Sequence, residues 1–284
     1  MAESLPSYLT IPAESLPEVS HFHFEILPSP AALFQHMAQA IAAEIRSNNM
    51  AGRPTRLILP VGPTGQYPLL VNLCNQEGIS WKNVHTFNMD EYCDWQGRWL
   101  PITHPLSFRG YMERVVFSQL DPGLRIPPDQ VHFPDPLNLD VISRKIQEVG
   151  GIDTCYGGLG YHGHVAFNEP PDLYWQRVSA NEFKQSLTRQ VKINPDTIVM
   201  NSIRNTGGSA IIFPAMGVTI GMRDILAARR IRLYCPGGAW QRAVLRTVLL
   251  GEEDVTYPAT LLKGHADVAI FADSDTAQPA LPAL

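Results

Sequence analysis

Short apolar runs, each followed by a loop and then a helix-periodic segment, constrain the fold of this chain more than any other feature. The first helix opens at Ser29-Pro30, an N-cap followed by proline at the first helical position. Its buried face is Leu33, Phe34, Met37, Ala38, Ile41 and Ile45, and residues 48–52 end it. Leu57-Ile58-Leu59 then reads as a buried strand, residues 60–68 as a loop and residues 69–74 as the next helix. The run Val84-His85-Thr86-Phe87-Asn88-Met89 is a second strand, ending in Asp90-Glu91-Tyr92. An irregular stretch with Trp95, Trp99, Pro101 and Pro105 separates it from helical spacing at Phe108, Tyr111, Met112, Val115 and Val116. Asp140 is placed to cap a helix carrying Val141, Ile142, Ile146 and Val149, closed by Gly150-Gly151. Further strands are expected at 152–156, 231–235 and 267–272, and helices at 222–228 and 239–250. Strands alternating with helices pair in parallel and are covered on both faces, so the expected class is α/β with a mainly parallel sheet.

A length of 284 residues accommodates one large domain, and no internal repeat or interior linker divides it. The expectation is a single α/β domain over residues 1–284, with residues 1–23, rich in proline and serine, as an irregular N-terminal arm. A net charge of −5 without a lysine or arginine block argues against nucleic acid or an anionic membrane as partner. No uncharged apolar run reaches bilayer-spanning length, and the N-terminus lacks a signal segment. Cys74, Cys93, Cys155 and Cys235 form no C-x-x-C pair, as free thiols in a reducing compartment would not. These features predict a cytoplasmic protein; a homo-oligomer is left open.

The chemistry concentrates at residues 157–170, where an apolar run ends in Gly157-Gly158-Leu159-Gly160 and His162, His164 and Glu169 follow within a few residues. Glycines let the backbone turn sharply and approach a ligand closely. The two histidines would point the same way if that segment were extended. Three readings compete: a glycine-rich turn with solvated histidines, a metal site, and general acid/base chemistry without a metal. The metal reading resembles the cupin His-x-His-x4-Glu core, but Tyr156 and Gln176 stand where that motif has glycines, and cupins are all-β. The strand–helix alternation therefore favours acid/base chemistry without a metal, and no cofactor is expected. Two other places fit ligand binding at the edge of an open α/β sheet. The loop 60–68 is either an anion-binding βα loop or a plain connection, and lacks the Gly-Lys-Ser/Thr of a Walker A loop. Asp90 is either a sheet-edge carboxylate or the cap of a turn.

Taken together, several motifs resemble the glucosamine-6-phosphate deaminase/isomerase family, part of a wider group with the 6-phosphogluconolactonases. They are Phe87-Asn88-Met89-Asp90-Glu91-Tyr92, His104-Pro105 with Ser107-Phe108, and residues 157–170 ending Gly163-His164-Val165-Ala166-Phe167-Asn168-Glu169-Pro170. Pro214 with residues 218–221, and Pro258-Ala259-Thr260-Leu261-Leu262 before His265, add to the match, which spans about residues 58–273. The resemblance implies a modified Rossmann-like fold, no metal requirement and a sugar substrate, either an amino sugar or a sugar phosphate. It implies that Asp90 moves a proton between C2 and C1 of the open-chain sugar, and that His164 opens the pyranose ring with Glu169 orienting or recharging it. His162 joins this catalytic set. The substrate-binding set is Thr64, Gly65, Gln66, Glu91, Gly158, Gly160, Gly163, Arg204, Gln241 and Arg242.

The departures from the family pattern gather where substrate is gripped. His162 stands where the family has Asp or Asn, so a cation there would disfavour an ammonium at C2. Gln66-Tyr67 replaces the small residue and hydroxyl that follow Pro-Thr-Gly in the family's phosphate loop. The family's phosphate lysine falls on Gln241, beside Arg242, and its phosphate arginine on Ile203, beside Arg204. The leading expectation is an aldose–ketose isomerase or deaminase; a lactonase-like hydrolase and a non-catalytic sugar-binding descendant are the alternatives.

Overall fold

The computed structural model describes residues 5–172 and 176–281; the first four residues of the expected arm lie outside them. Within the rest of that arm, Ser7–Thr10 and Ala13–Ser15 form 3-10 turns and α1 (Leu16–Val19) follows, so it is more ordered than its composition suggests. The reason is tertiary, since Leu16 is fully buried in the core. In chain order the remaining elements begin with β1 (His23–Leu27), α2 (Pro30–Met50), β2 (Thr55–Leu59), α3 (Gln66–Glu77), β3 (Val84–Asn88) and β4 (Asp90–Cys93). Next come α4 (Phe108–Val115), β5 (Val131–His132), α5 (Val141–Glu148), β6 (Thr154–Gly157), α6 (Ala180–Lys184), β7 (Arg189–Lys192) and α7 (Pro195–Asn205). The last are β8 (Met216–Thr219), α8 (Met222–Leu226), β9 (Arg230–Cys235), α9 (Arg242–Leu250) and β10 (Val268–Asp273).

The expected parallel sheet is present, with seven strands in the order β1-β10-β9-β6-β2-β3-β5 and every pairing parallel. Successive strand residues face opposite sides, which divides the core in two. Ile58, Phe87, Cys155 and Ile231 pack with Ile142 of α5, Ile225 of α8 and Leu245 of α9. Leu57, Leu59, Tyr156 and Tyr234 pack on the other side with Leu33 and Met37 of α2, Leu70 of α3 and Met112 of α4. Helices on both faces follow, and they explain why β2 and β6 read as continuous apolar runs. The caps behave as their residue types require: Ser29 accepts from the Ala32 N–H, and Ser107 accepts from the Gly110 N–H. Asp140 occupies the N-cap position of α5 but makes no side-chain cap bond.

A second sheet departs from the purely alternating pattern. It has three antiparallel strands in the order β4-β8-β7. Met89 is where the chain changes sheets: its N–H still bonds Leu59 O beside β3, while its carbonyl accepts from Ile220 N. Residues 90–92, expected as a tail beyond one strand, are therefore the start of another. No helix among the described residues is long and apolar enough to cross a membrane.

Candidate active site

The loops that leave the C-terminal ends of β2, β6 and β9 meet β4 and the end of α7 around a cleft of about 610 Å³. This is where an open parallel sheet presents backbone and side chains to a ligand. Of the sequence-predicted residues, Asp90, His164, Thr64, Gly158, Gly160, Arg204 and Gln241 line it.

Asp90 opens β4 opposite Thr219 and is 7% exposed. Burial, with Glu91 beside it, holds its carboxyl well above the usual carboxylate range. Alternation along β4 then sends Glu91 to the opposite side. Glu91 is fully buried and accepts hydrogen bonds from the Ser107 hydroxyl and from the Phe108 and Arg109 backbone N–H groups, at 2.9–3.0 Å. The Arg109 guanidinium lies 3.4 Å away. The expectation that Glu91 binds substrate is corrected: it fastens the start of α4 to β4, with no oxygen in the cleft.

His164 is held by a loop that closes on itself, with Gly160 N bonded to His164 O and Gly163 N to Gly160 O, each at 2.9 Å. A Cβ on Gly160 would fall 1.8 Å from His164 Nε2, so the imidazole occupies the space that the glycine leaves. Gly163 has φ +66 and its carbonyl accepts from Ala259 N; it shapes the turn and does not line the cleft. Burial, reinforced by the neighbouring His162 ring, lowers His164 to a pKa of about 3, so the imidazole is neutral at physiological pH.

The loop is turned, not extended, and the two imidazoles, 6.4 Å apart with planes tilted by 43°, meet different surroundings. His162 leaves the cleft lining and sets Nε2 3.3 Å from Asp196 Oδ2, at the first turn of α7. Its expected approach to substrate is corrected accordingly. Glu169 is buried but likewise outside the cleft lining; its Oε2 accepts from Asn194 N at 2.5 Å and its buried Oε1 has no partner. No hydrogen bond joins it to His164, contrary to the orienting role expected. Burial raises its carboxyl to about 7, partly offset by the Asn194 N–H. Among the described residues, no group of three or more His, Cys, Asp and Glu is gathered to hold a metal ion, so His162, His164 and Glu169 do not form a ligand set.

The expected phosphate grip is rearranged. Gln66 is fully buried and donates to Pro63 O at 2.6 Å, while Tyr67 donates to Pro60 O, so both side chains brace their own loop. Gly65 lies against the Phe34 ring, 2.4 Å from where its Cβ would be, and does not line the cleft. Gln241 reaches the cleft wall with both amide ends committed, donating to Leu159 O and accepting from Gly237 N. Arg242 turns outward to Asp275. The expectations for Gln66, Gly65 and Arg242 are thus corrected to structural roles. Arg204 remains, its guanidinium 5.3 Å from the Trp240 ring centroid and lining the cleft. It is the sole lysine or arginine among the described lining residues.

Asn201, Asn205 and Thr206 from the end of α7, with Tyr111 and Trp240, also line the cleft and were missed by sequence reasoning. The Asn194-Pro195 pair was a usable signal, since asparagine and then proline mark a helix start.

No family model matches the chain. Curated relatives do. Glucosamine-6-phosphate deaminase of Porphyromonas gingivalis strain W83 is 34% identical over 231 residues, 78% of this chain and 80% of the relative. The Caenorhabditis elegans enzyme of the same name is 31% identical over 248 residues, 84% of each chain. Among solved structures, a monomeric glucosamine-6-phosphate deaminase described as a missing link of the NagB superfamily superposes with a TM-score of 0.74. It has 27% identity and covers 89% of this chain and 98% of its own. The 6-phosphogluconolactonase of Thermotoga maritima shares the fold at 17% identity, with a TM-score of 0.63 over 88% of this chain and 99% of its own. With a third of the aligned residues identical over most of both chains, and the Asp90 and His164 motifs meeting in one cleft, this chain belongs to the glucosamine-6-phosphate deaminase family.

Proposed function

We propose that this protein deaminates and isomerises a phosphorylated amino sugar of the glucosamine 6-phosphate type, yielding a ketose phosphate and ammonia. The observation that carries the reading is the convergence of Asp90, on β4, and His164, on the loop after β6, on one cleft whose sole lysine or arginine among the described lining residues is Arg204. Neutral His164 accepts the proton of the anomeric hydroxyl and returns it to the ring oxygen, opening the pyranose. Its depressed basicity suits a transfer in which the proton is not kept. Asp90, once ionised, is a stronger base than an ordinary carboxylate; it takes the proton from C2 while the carbonyl oxygen at C1 gains one from the C2 ammonium, and it then delivers the C2 proton to C1. The imine then at C2 is hydrolysed by water, releasing ammonia.

Arg204 supplies the positive charge for the phosphate end, and the Thr64 hydroxyl is the remaining predicted polar group at the wall. Hydrolysis of a sugar lactone has no use for a C2 base, so Asp90 favours the deaminase reading. The buried free thiols Cys74, Cys93, Cys155 and Cys235 agree with work in a reducing cytoplasm.

The test is ammonia release from glucosamine 6-phosphate, run with solvent-deuterium exchange at C2. Asp90→Asn keeps the shape and removes the base, so exchange should fall by at least about a thousandfold while substrate still protects against heat. Undiminished exchange in this variant would remove Asp90 from its role. No ammonia from the wild-type protein would remove the proposed substrate.

A further inference from the structure

The three strands that carry the active-site loops have a second pocket at their other ends. It is also about 610 Å³ and is lined by residues at the N-terminal ends of β2, β6 and β9, by α2 and by Asp267. We infer that this pocket binds a phosphate dianion, free or as a phosphomonoester, at a site separate from the cleft.

The charge inventory points to an anion. Five guanidiniums line the pocket with three carboxylates, leaving two positive charges in excess. Three of the arginines are committed. Arg56 bonds both oxygens of Asp153 at 2.9–3.0 Å and spends another nitrogen on the carbonyls of Val149 and Gly150. Arg230 bonds Glu44 at 2.7 Å and the Thr154 hydroxyl at 3.0 Å. Arg232 pairs with Asp267 at 2.7 Å.

The other two are not committed. The Arg53 guanidinium donates only to the neutral side-chain amide oxygen of Asn48, at 3.1 Å, among the described hydrogen bonds. Arg229 lies 3.7 Å from Asp153, whose two oxygens Arg56 already uses, and its side chain is 69% exposed. The remaining carboxylate, Glu44, is bonded by Thr154, Tyr156 and Arg230, so it does not neutralise them. Two guanidiniums without a carboxylate of their own, facing one polar hollow, match a phosphate carrying between −1.5 and −2 charges. Planar guanidinium forks suit its oxygens better than a point cation would.

This site does not depend on the catalytic reading, because it is tested by binding. Thermal unfolding is followed with increasing inorganic phosphate, and separately glycerol 3-phosphate, at constant ionic strength set with chloride. Both should raise the unfolding temperature saturably if the site takes the phosphate group; a response to only the free ion or only the ester identifies the source. Arg53→Ala with Arg229→Ala should weaken this binding by roughly tenfold or more, since each charged hydrogen bond lost is worth about that factor. Both side chains are exposed, so the fold should survive. Ser47→Asp is the second variant; it adds a carboxylate to the pocket wall without touching the ion pairs, and should weaken phosphate similarly. Arg204→Ala, in the cleft, should leave the response in place. Stabilisation lost only in Arg204→Ala, or no saturable stabilisation beyond chloride, would overturn the inference, as would full phosphate binding by the double variant and Ser47→Asp.

Discussion

Replacing Gly160 with alanine isolates how His164 is placed, because the glycine is needed for space and not for backbone conformation. Its φ lies outside the left-handed range, so alanine brings no backbone strain there. The new methyl would sit 1.8 Å from His164 Nε2 and 2.3 Å from Cδ2 and Cε1, whereas ordinary contact begins near 3.4 Å. Relieving that overlap requires the ring to retreat by about 1.6 Å at Nε2. A displacement of about 1 Å in a reacting group can cost a factor of about 100. The expectation is therefore a fall of at least about 100-fold in kcat/KM for ammonia release, equivalent to about 2.7 kcal/mol of barrier. His164 lines the cleft, so the ring can move into it instead of compressing the core, and the stability loss should stay within about 1–3 kcal/mol. Gly264→Ala is the control, since nothing lies within 4 Å of its added Cβ. The assay compares kcat/KM and the unfolding temperature of both variants with wild type. Wild-type kcat/KM in Gly160→Ala, with the protein folded, would refute the argument that His164 must occupy this position.

Glu169 gives a pH signature: because burial raises its carboxyl from 4.5 to about 7, its contribution is full below pH 4.5 and is lost as pH rises through 7. Relative to Glu169→Gln, the wild type should lose about 3 kcal/mol of unfolding free energy across that window, read by denaturant titration; a difference independent of pH would sink the assignment. His162→Asp places two carboxylates together at the start of α7 and should cost about 1 kcal/mol or less, with the kcat/KM ratio of amino to non-amino sugars moving less than about threefold. A tenfold change in that ratio would return His162 to the substrate. Dialysis against a strong chelator should leave ammonia release unchanged, and activity lost and then regained with one specific metal would revive the His162, His164 and Glu169 ligand reading.

Local sequence determined the elements wherever neighbours in the chain sufficed. Ser29-Pro30 starts α2, Gly150-Gly151 closes α5, and the apolar runs at β2, β3, β6, β9 and β10 are strands because a two-sided core needs them buried on both faces. The identities of Asp90 and His164 were also legible, since motif order survives without coordinates. The direction in which side chains point was not. Asp90 and Glu91 are adjacent and alternate along β4, but which of them faces the cleft and which caps α4 follows from where β4 is set, by Met89 bonds to Leu59 and Ile220 far away in sequence. His162 and His164 meet different surroundings because the loop turns at Gly163, and Gln66 and Arg242 are taken up by Pro63 and Asp275. The end of α7 reaches the cleft only through packing between distant segments. Hydrogen bonds and close contacts across such separations depend on where the folded chain places both partners, and that is what the tertiary structure alone decided.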